Sequence, residues 1–167
     1  MIPAVMVNDV IYYDTGIKDT AFGRCGTMDG NIDSMCDTNE MPNKNGQSNF
    51  DKDLGYQYGP IEGTIEVLMD GNFYIFEAEN IKPENKVSQF VAKVTEVRNG
   101  SFVVSPVEGS KELKSSDVFT IPVSNMNSSV EPVVGDELII VYCGGIEETY
   151  PAQLGTIICT SLVERGK

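Results

Sequence analysis

The chain is predicted to be all-β, and three observations predict it. Apolar and polar residues alternate mostly with period two, and few segments hold the helical period of 3.6 over three turns. Turn signals recur along the chain: Asn8-Asp9, Thr15-Gly16, Asp29-Gly30, Asn45-Gly46, Asp70-Gly71, Asn99-Gly100, Gly135-Asp136 and Gly144-Gly145. The runs between them are short. A length of 167 residues allows one large domain or two small ones. The pattern divides into an N-terminal β-hairpin-rich domain over residues 1–82, a linker at 83–86 and a C-terminal five-stranded OB-like barrel over residues 87–167.

In the N-terminal part, Ala4 to Val7 and Val10 to Asp14 flank Asn8-Asp9, a good two-residue hairpin turn. Phe22 to Met28 and Asn31 to Cys36 are read as a second hairpin around Asp29-Gly30. The polar stretch from Asp37 to Lys52 has little apolar content and is expected as a surface loop. Gly55 to Pro60 then returns to the core. Glu62 to Leu68 and Asn72 to Ala78 form a third hairpin across Met69-Asp70-Gly71. Phe73, Ile75 and Glu77 share one face of its second strand, and Tyr74, Phe76 and Ala78 share the other. The run Ile81 to Lys86 is polar, contains Pro83 and reads as the linker.

Five strands are expected after it: Phe90 to Val97, Phe102 to Val107, Val118 to Val123, Glu137 to Cys143 and Gly155 to Val163. The first two pair across Asn99-Gly100. Gly144-Gly145 reads as a sharp exit from the fourth strand, and Glu147 to Pro151 as a rigid connector. Five strands with a long excursion between the third and fourth suit a small Greek-key barrel. A short helix is placed near Asp117 or over residues 124–129.

Charge and composition exclude several function classes. The net charge is −13, from 25 acidic and 12 basic residues. Such a surface repels phosphate backbones, so nucleic acid is not an expected partner. It repels anionic lipid headgroups as well. Histidine is absent, which removes Ser-His-Asp and Cys-His catalysis and His-built zinc sites. No metal or other cofactor is expected, and the chain is not expected to be an enzyme. Cys25, Cys36, Cys143 and Cys159 are even in number, which permits Cys25/Cys36 and Cys143/Cys159 disulfides without requiring them. Their other reading is four small half-buried thiols. Asp29, Asn31, Asp33, Asp51 and Asp53 carry the oxygens calcium favours. The EF-hand glycine and glutamate are missing, however, and these residues are also ordinary turn formers.

A family resemblance enters at the C-terminal motifs. Val134-Gly135-Asp136-Glu137-Leu138, Val141-Tyr142-Cys143-Gly144-Gly145 and Glu148-Thr149-Tyr150-Pro151-Ala152 resemble an OB-like domain of small exported lipoproteins of Gram-positive bacteria. Ile2 to Val7, Tyr12 to Gly16 and Gln47 to Phe50 look similar to the β-rich module that precedes it. The resemblance implies an extracytoplasmic, lipid-anchored protein whose leader and lipidated cysteine lie outside this sequence. Contact with membrane would then come through the lipid alone. It implies no reaction.

The candidate ligand-binding residues are Tyr12, Tyr13, Phe50, Tyr56, Tyr58, Glu148 and Tyr150. The first five are the densest aromatic set, suited to a groove for a peptide or glycan, or to half-buried sheet packing. Glu148 and Tyr150 form either a polar rim at a barrel mouth or, for Tyr150, a ring that plugs the barrel end. The function expected from this is a non-catalytic binding module for a peptide, a glycan or another envelope protein. The alternative is a glycan hydrolase using carboxylates among Glu62, Glu66, Glu77 and Glu79, with Glu62 and Glu66 sharing one outer strand face.

Overall fold

The computed structural model describes residues 1–21, 26–124, 126–127 and 130–164. It is all-β, 55% strand and 4% helical, with one nearly closed barrel-like sheet and one half-barrel. The chain divides into two compact units, one of residues 1–19 and a run ending at Lys86, the other of Val87 onward together with Thr20 and Ala21. Among the described residues no helix is long and apolar enough to cross a membrane.

The first unit opens with β1 (Ala4–Val7) and β2 (Val10–Asp19), paired with Val7 opposite Val10. Asn8 and Asp9 both have positive φ, 50° and 65°. Two successive left-handed residues match the right-handed twist of the flanking strands, and Asn and Asp tolerate that conformation. Then follow β3 (Gly30–Ile32), β4 (Ser34–Met35), β5 (Gln47–Ser48), β6 (Leu54–Tyr58), β7 (Thr64–Met69) and β8 (Asn72–Ala78). They join in the order β3-β6-β7-β8-β2-β1-β5-β4. The two ends of this sheet, β3 and β4, are separated in the chain only by Asp33. The sheet therefore curls until both edges meet one strip of backbone. The β7–β8 hairpin turns at Asp70-Gly71, both with positive φ, as its sequence predicts.

Two expectations for this unit are corrected. Among the described residues Asn31 to Cys36 does not pair with Gly26 to Met28; β3 pairs with β6. Asp29 does not turn the chain there, because its N–H donates to the Tyr56 carbonyl at 2.9 Å and extends the ladder of β6. Phe22 to Cys25, the start of that expected hairpin, lie outside the described residues. The polar stretch 37–52 is also more than a surface loop. It contains β5, and Gln47, Ser48 and Asn49 are buried. The Asn49 amide oxygen accepts the Ala4 N–H at 2.8 Å, and the Ser48 hydroxyl bonds the Asp51 carbonyl. Polar side chains here stand in for missing ladder bonds, which composition alone reads as solvent-facing polarity. The stretch read as a linker holds a 3-10 turn, Pro83–Asn85, and the Asn85 side chain donates to the Glu62 carbonyl at 3.3 Å.

The second unit contains β9 (Val87–Arg98), β10 (Ser101–Pro106), β11 (Phe119–Pro122), β12 (Met126–Asn127), β13 (Glu137–Glu147) and β14 (Gln153–Glu164). Their order is β11-β10-β9-β13-β14-β12. A parallel bridge between Phe119 and Ala152 brings β11 back to the start of β14. Two hydrogen bonds fix it, Thr120 N–H to the Ala152 carbonyl at 3.0 Å and Ala152 N–H to the Val118 carbonyl at 2.9 Å. Phe90, Phe102, Phe119, Ile121, Leu138, Ile140 and Tyr142 fill the interior. The Gly135-Asp136 entry to β13 is closed by Asp136, whose carboxylate accepts the Val133 N–H at 2.9 Å.

Gly144-Gly145 does not end β13, which runs on to Glu147. The register shifts between Cys143 and Ile146, so the pair forms an irregularity inside the strand, with Gly144 at φ 84°. No helix forms at Asp117; a 3-10 turn lies earlier, at Lys111–Lys114. Part of the 124–129 segment lies outside the described residues, and Met126–Asn127 within it is strand. Cys36, Cys143 and Cys159 are in no disulfide, and Cys25 lies outside the described residues. β13 and β14 do lie side by side, but Cys143 faces Thr156 and Cys159 faces Val141, so the two thiols are out of register.

Candidate functional site

In the first unit, pairing sets the tyrosines in rows. Tyr56 lies in register with Val67 and then Tyr74, and Tyr58 with Ile65 and then Phe76. Directly paired residues share a face, so both tyrosines stand on the face that carries the core. Tyr12, paired with Val5 and Ala78, packs against that same core. The curl of the sheet brings the three together. Tyr58 belongs to a strand four places from β1 in the sheet order, yet its hydroxyl accepts from the Asn8 side-chain amide at 2.6 Å.

The site is built from four short segments. The β1–β2 turn supplies Asn8. It is clasped to the next loop by Asp9 and Asn45, whose backbone and side-chain bonds run both ways at 2.7 and 3.1 Å. β2 supplies Tyr12, and β6 supplies Tyr56 and Tyr58, with rings edge to face at 6.0 Å. Asp29, at the head of β3, accepts the Tyr58 N–H at 2.8 Å. Gly30 makes room: a β-carbon there would lie 2.3 Å from the Tyr56 hydroxyl. Tyr58 is half exposed, at 50%.

The phenols are held neutral. Burial raises Tyr12 above its ordinary value, and the neighbouring Tyr58 adds to the shift. Burial also raises Tyr56, reinforced by Tyr58, Asp29, a hydrogen bond to the Tyr58 hydroxyl, and Tyr12. At neutral pH the site therefore offers aromatic rings and uncharged hydroxyls beside the carboxylates of Asp29 and Asp9.

Of the seven residues expected from sequence, the structure brings together Tyr12, Tyr56 and Tyr58. Tyr13 lies on the opposite face of β2, paired with Glu77. Phe50 packs on Phe76, 5.6 Å between ring centroids, as part of the core of the first unit. Glu148 and Tyr150 belong to the second unit, in the β13–β14 connector. Tyr150 does not plug the barrel: it is 75% exposed. Ala152 anchors the connector through its two backbone bonds, and the ring is left outside. Glu62 and Glu66 do not share an outer face either. β7 begins only at Thr64, and Glu66 is fully buried within it.

Asn8, Asp29 and Gly30 were missed as site residues, since each reads as a turn former. The same holds for Glu112 in the second unit. It sits in the Lys111–Lys114 turn, is 2% exposed, and accepts the Tyr142 hydroxyl at 2.8 Å. Burial, then the Glu112 bond, pushes the Tyr142 phenol well up. Nothing in the segment Ser110-Lys111-Glu112-Leu113-Lys114 distinguishes this carboxylate from a solvated one. Two surface cavities also lie in the second unit. One of about 500 Å³ is lined by Arg98, Phe102, Met126, Val130 and Pro132, and one of about 200 Å³ by Thr120, Pro122, Gln153, Leu154 and Ile157. Among the described residues no group of three or more His, Cys, Asp or Glu is placed to hold a metal ion.

Comparison with protein-family models, with curated proteins and with solved structures finds no match for this chain.

Proposed function

We propose that the protein is a non-catalytic binding module that works outside the cytoplasm, held at the cell surface by a lipid outside this sequence. Its ligand is a peptide, a glycan or another protein of the envelope. The convergence of Tyr12, Tyr56 and Tyr58 at one end of a curled sheet carries the binding reading. Aromatic rings with a few fixed polar groups are what such sites are made of. Tyr58 is half exposed although it sits in a row with buried Ile65 and Phe76. Location rests on the sequence resemblance alone.

The strand order supports an OB-like reading of the second unit. Following the chain, its five long strands are β9, β10, β11, β13 and β14. Around the barrel they run first, second, third, fifth, fourth and back to the first, with the third and fifth parallel at Phe119 and Ala152. We read that order as support for a five-stranded, partly open Greek-key barrel.

The test is direct binding of purified protein to immobilised cell-wall glycan fragments and to a peptide array. Saturable retention by the native protein, lost in Tyr58→Ala with the fold intact by circular dichroism, is the expected result. Retention unchanged in Tyr58→Ala and Tyr12→Ala would remove the site. Fractionation of cells producing the full-length protein tests location, and recovery from the cytosol would refute it.

A further inference from the structure

We infer that the Tyr12–Tyr56–Tyr58 cluster takes an organic ammonium group, presented as a lysine side chain on a peptide partner; this rests on the cluster being the binding site. The hydrogen-bond inventory points that way. Three donors at the site are already used. The Asn8 amide N–H₂ reaches the Tyr58 hydroxyl, the Tyr58 N–H goes to Asp29, and the Asp29 N–H goes to the Tyr56 carbonyl. The Tyr56 hydroxyl is bonded to that of Tyr58. What stays open among the described residues is the second oxygen of the Asp29 carboxylate and the Asn8 amide oxygen, both acceptors, and the Tyr12 hydroxyl, which accepts or donates. The two fixed acceptors suit a ligand that brings donors, and an ammonium brings three with no acceptor.

Charge and ring chemistry agree. Asp9 and Asp29 are exposed at the site, and no lysine or arginine among the described residues is bonded to either. An anionic ligand would meet two carboxylates. A cation meets them and the negative faces of tyrosine rings together. The same sheet already uses this contact once, with Lys18 Nζ 5.5 Å from the centroid of the Tyr74 ring.

The experiment titrates the native protein with four probes, followed by tyrosine ring signals in NMR. The probes are N-acetyl-lysine amide, its neutral counterpart N-acetyl-norleucine amide, tetramethylammonium and a neutral chito-oligosaccharide. Lysine amide is expected to bind most tightly, about tenfold better than norleucine amide, and to weaken as salt rises from about 50 to about 500 mM. Asp29→Asn, which keeps an acceptor for the Tyr58 N–H, should weaken lysine amide about fivefold and leave norleucine amide unchanged. Tetramethylammonium binding as tightly as lysine amide would overturn the peptide source and assign the site to a quaternary ammonium headgroup. Norleucine amide or the oligosaccharide binding as well as lysine amide would overturn the cation inference while leaving the binding module standing. No saturable shift with any probe would overturn both.

Discussion

The two units reach an all-β fold by different means. The second has strands of 11 and 12 residues, β9, β13 and β14, paired along most of their length around an interior of Phe90, Phe119, Leu138, Ile140 and Tyr142. The first includes three strands of two or three residues and closes its sheet with polar side chains, Asn49 on Ala4, Asn45 on Asp9 and Asn8 on Tyr58. Long ladders over an apolar interior need few side-chain bonds. Short strands leave backbone groups that polar side chains must satisfy. The lesson is that polarity means opposite things in the two units: in the first it builds the fold, and in the second it lies mostly outside.

The largest effect is expected from Phe119→Ala, which removes a fully buried ring that packs on Phe90 at 5.6 Å. It should cost about 3–5 kcal/mol. Hydrogen exchange should report the loss in β9 and β13, and equal loss of protection in β7 and β8 would break the comparison. Next comes Glu112→Ala, which strands the buried Tyr142 hydroxyl and should cost about 2–3 kcal/mol, read by urea denaturation. Adding Tyr142→Phe to Glu112→Ala should recover part of that loss, since it removes the hydroxyl left without its acceptor. The alkaline limb tests the same residue. Tyr142 lies above its ordinary value of 10.0 in the fold, and Tyr12 and Tyr56 are raised as well. The unfolded phenols ionise first, so this stability is whole below pH 10.0 and falls as pH rises toward the folded values. Chemical denaturation against pH should show the fall, and in Tyr142→Phe it should be smaller.

Asn49→Ala sharpens the comparison from the other side. The loss of one buried amide should cost the first unit about 1–2 kcal/mol, although its surroundings read as loop. A change no larger than that of a surface residue would show that polar pins do not hold this unit. The smallest effect belongs to Tyr150→Ala. With the ring 75% exposed, melting should shift by less than about 0.5 kcal/mol equivalent, and a larger loss would restore the plug.

Much of the second unit was legible because its signals are local. Its five long strands were read from alternation and turn residues, and their ends moved by only a few residues. In the first unit the β1–β2 and β7–β8 hairpins were equally legible, since Asn8-Asp9 and Asp70-Gly71 each settle a turn by themselves. β3, β4 and β5 were misread because two or three residues carry no period, and their partners lie far away in sequence. The site divides along the same line. That Tyr56 and Tyr58 share a face follows from alternation within one strand.

Alternation and turn chemistry thus determined the β class and the main hairpins, because each depends on neighbours a few residues apart, and composition alone set the acidic, histidine-free character of the chain. The meeting of Tyr12 with Tyr56 and Tyr58, the burial of Glu66 and Glu112, the anchoring role of Ala152 and the exposure of Tyr150 were decided by tertiary structure. Each depends on how strands distant in sequence are laid beside one another and how strongly the sheet curls. Curvature is a property of the assembled ladder, and no single segment contains it.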